Sequence, residues 1–146
     1  MSQQLQHFGL RLYRQAGADT HCELWVDHQP YLAVLRDFEA AFAGDIAGNY
    51  QPGLSLSSLQ QAHAMVTPFV CTCSDPDCWF INVHIELVQD TDATYVMWHQ
   101  WRNPYRADKK RAAEGLYWDY SALPPLIFEQ QQYLAEIARI SAQVDA

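Results

Sequence analysis

Trp79-Phe80-Ile81-Asn82-Val83-His84-Ile85-Glu86-Leu87-Val88 decides the reading of the fold. Trp79, Ile81, Val83, Ile85 and Leu87 fall on one face. Phe80, Asn82, His84, Glu86 and Val88 fall on the other, the period of two that marks a strand. Upstream, residues 68–73 read as another strand, and Ser74-Asp75-Pro76-Asp77 has the composition of a type I turn. Downstream, 90–93 read as a loop and 94–101 as a returning strand. Residues 68–101 are therefore expected to form a three-stranded antiparallel meander.

The flanks supply the remaining elements. Phe8, Leu10 and Leu12 alternate with smaller or polar residues, and so do Cys22, Leu24 and Val26, with a turn at 15–19. The pair predicts an N-terminal hairpin. Pro30 suits a helix start, Tyr31, Val34, Leu35, Phe38, Ala41 and Phe42 recur at helical spacing, and Gly44 supplies a stop, giving a helix over 30–43. Tyr133, Ile137, Ile140 and Val144 form one apolar stripe, giving a second helix over 129–144. Residues 44–66, broken by Gly48, Pro52 and Gly53, predict only a short helix within 57–65. The expected fold is α+β: an antiparallel sheet of about five strands with two helices packed on it. Residues 1–146 suit a single domain.

Composition narrows the function classes. Hydrophobic residues make up 49% and aromatics 13%, which argues against disorder. No apolar run approaches the roughly 18 residues of a membrane-spanning helix. The first residues lack a basic start followed by an apolar stretch, so a bacterial-type cytoplasm is the expected location. Net charge is −8, unevenly spread. Arg102, Arg106, Lys109, Lys110 and Arg111 are five of the nine basic residues; elsewhere four basic residues face sixteen acidic ones. An acidic body disfavours nucleic acid and anionic membranes, and favours a basic protein partner. The basic stretch reads as a solvated, mobile surface excursion.

Two local patterns suggest chemistry. Cys71, Cys73 and Cys78 lie within eight residues. If 74–77 is a four-residue hairpin loop, Cys73 faces Cys78 with Cβ atoms about 4.5–5.5 Å apart, and Cys71 shares their face. That arrangement suits a Zn²⁺ site completed by Cys22, His21 or His99, a Cys73–Cys78 disulfide, or plain packing of reduced thiols. The second pattern is His84, Glu86 and His99. A hairpin closed at 90–93 sets His84 opposite His99 with Glu86 one step along the same face. These are the ligand types of a metal-dependent enzyme; the alternative is a polar outer sheet face. The same outer face is expected to carry Phe80, Met97 and Trp101. No nucleophile elbow, P-loop or dinucleotide fingerprint occurs.

From Cys71 to about Tyr133, less than half of the chain, the sequence resembles a family of small bacterial proteins with no assigned activity. The resemblance rests on Cys71, Cys73, Cys78-Trp79, Val96, Trp98 and Pro104, on Trp118-Asp119-Tyr120-Ser121, and on Pro125, Phe128 and Gln132-Tyr133. It implies a shared fold and transfers no catalytic residue. Residues 105–115 stand out from it as an insertion. The functional expectation is a non-enzymatic acidic binding protein, such as an immunity-like antidote that masks a basic toxin. The alternative is a metal protein using the thiols or the His84/Glu86/His99 face. A homodimer is also compatible.

Overall fold

The computed structural model describes residues 5–16, 19–72 and 79–145. In chain order these form β1 (Phe8–Ala16), β2 (Asp19–Val26), β3 (Gln29–Pro30), α1 (Tyr31–Glu39), β4 (Tyr50–Pro52), β5 (Leu54–Ser55), α2 (Leu56–Gln60), β6 (Met65–Cys71), β7 (Phe80–Gln89), β8 (Thr94–Arg102), β9 (Leu126–Glu129) and α3 (Gln130–Asp145). Three 3₁₀ turns, Pro104–Arg106, Lys109–Glu114 and Tyr120–Ala122, lie between β8 and β9.

The α+β class holds, but the strands divide into two antiparallel sheets. One has the order β4-β6-β7-β8-β9; the other has β1-β2-β3, with β5 also paired to β2. The N-terminal hairpin thus builds its own sheet. It packs on the larger one through Phe8, whose ring lies 4.9 Å from Phe128, 4.4 Å from Tyr133 and 5.7 Å from Trp98. The buried side chains form one cluster that draws on both sheets, α1 and α3.

Two departures from the sequence reading have local causes. Trp98 and Trp101 are three apart on one strand, yet both are buried in the core. A bulge makes this possible: Gln100 takes a φ of 58°, and the register shifts between His84↔His99 and Asn82↔Arg102. The extra residue turns Trp101 inward, where it stacks on Tyr31 at 5.0 Å. The second departure is the end of α1, at Glu39 rather than 43. Its buried face is Tyr31, Leu35 and Glu39, while Val34 and Phe42 are exposed.

Glu39 is fully buried. Its Oε1 accepts the Gly48 amide at 2.9 Å. Its Oε2 accepts the hydroxyls of Tyr50 at 2.8 Å and Tyr120 at 2.5 Å. Tyr50 in turn accepts the Asn103 amide at 3.0 Å. Burial, reinforced by the Glu39 charge, raises the pKa of both tyrosines, so both remain protonated donors. Gly48 is needed for this turn: its φ is +66°, and a Cβ there would meet Arg36 Cβ at 2.5 Å.

Two sheet edges are covered by side chains. Along β1, Gln132 bonds both main-chain groups of Phe8, at 2.9 and 2.7 Å. One turn on, Glu136 accepts the Leu10 amide at 2.7 Å and Arg139 donates to the Leu10 carbonyl at 3.0 Å. Residues 132, 136 and 139 follow helical spacing, so one face of α3 caps one strand edge. At the edge of β9, the Gln6 main-chain amide donates to the Ile127 carbonyl and its side-chain Oε1 accepts the Ile127 amide, both at 2.8 Å.

Removing one donor from Glu39 tests its weight. Tyr120→Phe should lower the urea-unfolding free energy by about 1–3 kcal/mol, and Glu39→Gln by a similar amount, because the new NH₂ must face either the Gly48 amide or the two hydroxyls, and so one of the two acceptor positions is lost.

Glu136 gives the fold a pH signature. The Arg139 guanidinium, with the Leu10 amide, holds its carboxyl below the ordinary range. A carboxyl with a lower pKa folded than unfolded stabilises fully above the unfolded value. That contribution is lost as pH falls through the folded value. Glu136→Gln should therefore flatten the acid limb of a Tm-against-pH profile and leave its slope near neutrality unchanged.

Candidate functional site

Of the three clustered cysteines, only Cys71 lies among the described residues. Cys71 is disulfide-bonded. A disulfide sulfur is not a thiolate ligand, so this state removes Cys71 from any zinc set. Cys73 and Cys78 lie outside the described residues, as does the expected Cys73–Cys78 pairing. The described end of the β6–β7 ladder is also one residue away from the expected register: Val70 faces Phe80, where a four-residue loop would set Cys71 opposite it. Cys22 is free, fully buried in β2 between Leu12 and Leu54, and burial pushes its thiol up to about 11. It is therefore a packed, protonated thiol at neutral pH. His21 sits beside it on β2, opposite Ser55.

The second pattern is placed as read. His84 faces His99 across β7 and β8, and their rings are 6.4 Å apart. Glu86 reaches diagonally to His99, Oε2 to Nε2 at 3.2 Å. Two of the three groups meet. Among the described residues, no group of three or more His, Cys, Asp or Glu side chains converges on a position for a metal ion.

The basic excursion is pinned at its base. The Arg106 guanidinium lies between two tryptophans, 5.0 Å from Trp79 and 5.4 Å from Trp118. The Trp118 amide donates to the Arg106 carbonyl at 2.7 Å. Lys109, Lys110 and Arg111 are exposed. Beside this excursion a cleft of about 550 Å³ is lined by His99, Arg102, Asn103, Trp118, Asp119 and Ser121, among others. Its polar groups are mostly engaged within the chain. Asn103 serves Tyr50 and the Tyr105 amide, Asp119 accepts the Ser121 amide, and His99 holds Glu86.

A different site forms at the far end of β7 and β8. A groove of about 220 Å³ runs between the turn after α2, the strand ends and the start of α3. Its lining includes Leu59, Ile85, Leu87, Val96, Tyr133 and Leu134. Leu87 is 60% exposed and Leu134 52% exposed. The cause is geometric: β7 runs past the end of β6, whose first pair is Met65↔His84, so the inner face beyond Ile85 loses its cover. Met65 and Val88 are also exposed.

The surroundings of this groove are acidic. Glu86 is exposed on the outer face, and the hairpin tip beyond Leu87 carries exposed Asp90 and Asp92. Among the described residues neither Asp90 nor Asp92 is in an ion pair. Arg102 and Arg106 lie beyond the other end of the ribbon, roughly 25 Å away at the usual rise per residue. Charge is thus segregated along β7 and β8, with carboxylates beside the apolar groove.

No family model, curated protein or solved structure matches the chain. Among the described residues, no helix is long and apolar enough to cross a membrane.

The disulfide makes a countable prediction. Unfolded without reductant, the chain should take up two alkyl groups by intact mass, and four after reduction, matching its four cysteines. Four without reductant would show that Cys71 is a free thiol. Cys22 should remain unlabelled in the folded protein.

Proposed function

We propose that this chain is a non-enzymatic binding protein that docks a basic protein partner on the groove at the end of β7 and β8. The observation that carries the reading is an apolar groove, with Leu87 and Leu134 half open to solvent, flanked by exposed Glu86, Asp90 and Asp92. Exposed apolar surface beside exposed carboxylates is what a docking site requires. Apolar burial supplies affinity, and charge supplies steering and selects the sign of the partner. The overall charge of −8 acts in the same direction over longer range. Masking a basic toxin, as an antidote does, is the biological role that fits these properties best.

The test is capture from a lysate of the native host at low and high salt, by the parent chain and by a Glu86→Gln/Asp90→Asn/Asp92→Asn variant. The parent should hold a protein of basic pI that high salt releases, and the variant should hold it at least about tenfold less, the loss expected for charge pairs that set encounter and register. Equal capture by the variant, or binding indifferent to salt, would overturn the reading.

A further inference from the structure

The proposed docking reading leaves the form of the partner open, and the main chain beside the groove supplies it. The Ile85 amide donates to the Ala64 carbonyl at 2.7 Å, on the side of β7 where β6 pairs. In an antiparallel strand, alternate residues turn their N–H and C=O to the same side. Leu87 and Gln89 therefore direct theirs toward the line of β6. The β6–β7 pairing stops at Met65↔His84, and among the described residues no hydrogen bond takes up that side of 87 and 89.

Main-chain groups at several other edges are bonded or blocked, at Phe8 and Leu10 of β1 in particular. The β1 edge is bonded by Gln132, Glu136 and Arg139, and the β9 edge by Gln6. β4 is a three-residue strand ending in Pro52, which has no amide hydrogen to offer. Past the end of β9, β8 is bent by the bulge at Gln100. A strand edge left open is a template for another strand unless it is blocked, and here an apolar groove lies beside it.

We infer that the partner binds by strand addition: an extended segment pairs antiparallel with residues 86–89 of β7, continuing the line of β6. Its side chains alternate, as in any strand. Those on the inner face enter the groove formed by Leu87, Ile85, Val96 and Leu134, so they are apolar. Those on the outer face lie beside Glu86 and, past the tip, Asp90 and Asp92, so they are Lys or Arg. Charge also decides against a second copy of this chain on the same edge. Two-fold pairing would set Glu86, Asp90 and Asp92 against their own counterparts, and like charges opposed across a ladder are destabilising.

The experiment uses the full chain and a synthetic peptide in which Val and Lys alternate. Controls are the same peptide N-methylated at alternate amides, in each of the two phases, and a proline-interrupted peptide of equal charge. Binding is read by fluorescence anisotropy, and amide hydrogen exchange is read by NMR. The alternating peptide should bind and slow exchange at Leu87 and Gln89. One of the two N-methylated phases should bind roughly tenfold more weakly, the worth of a main-chain hydrogen bond or two. If the peptides bind equally, are released by salt, and leave Leu87 and Gln89 unprotected, strand addition is overturned while acidic docking at the groove survives. If none binds, both readings fall. If protection at Leu87 and Gln89 appears without peptide and grows with protein concentration, the occupant is a second copy and the proposal is wrong.

Discussion

A buried carboxylate joins parts of this protein that share no sheet ladder. Glu39 ends α1, receives the amide of Gly48 from the turn that follows, and takes one hydroxyl from β4 and another from the 3₁₀ turn before β9. Through Tyr50 the same network reaches Asn103, the first residue after β8. A charge taken out of water costs several kcal/mol unless it is fully hydrogen-bonded, so the folded state tolerates Glu39 only when all these segments arrive together. The ring of Phe42 stacked on Trp118 at 5.6 Å, with Phe38 and Tyr120 at 5.5 Å, surrounds the network with apolar material. The low dielectric that strengthens the hydrogen bonds and the cost of breaking them therefore come from the same packing.

That junction organises one end of the larger sheet, and the other end is left open. Near the junction, β8 bends at Gln100, buries Trp101, and gives way to the pinned basic excursion. At the far end β7 outruns β6, and β7 and β8 extend past their cover into solvent. The protein covers the β1 edge at Phe8 and Leu10 with three side chains of α3 and the β9 edge at Ile127 with Gln6, yet leaves the main-chain groups of Leu87 and Gln89 open on the side of β6, with exposed leucine beside them. Open edges carry an aggregation risk, so one that persists beside a groove and a set of carboxylates has the character of a binding surface.

Much of the architecture was legible from local periodicity. The alternation in 79–88 located β7, and the 90–93 loop set the His84↔His99 register that is observed. The stripe of Tyr133, Ile137 and Ile140 located α3. What escaped were interruptions of period. Gln100 in the left-handed region resets which face Trp101 occupies, and nothing in its local sequence announces a bulge. Glu39 falls four residues after Leu35 and eight after Tyr31, squarely on the buried face of α1. A reading that assigns only apolar residues to a core passes over it. The thiol cluster drew attention by its spacing, but spacing does not report a sulfur's oxidation state, and Cys71 proves to be disulfide-bonded.

The amino-acid sequence alone determined the secondary-structure class, the position of the central strands, the uneven charge and the absence of the common nucleotide and nucleophile motifs, because each is a property of neighbours along the chain. Tertiary structure decided the rest. That the N-terminal hairpin forms its own sheet, that Glu39 finds two tyrosines 11 and 81 residues away, and that β6 stops before β7 does all depend on contacts between distant segments. The candidate site belongs to this second group. Leu87 reads as an ordinary inward-facing strand residue, and only the length mismatch between two paired strands leaves it exposed beside an open edge.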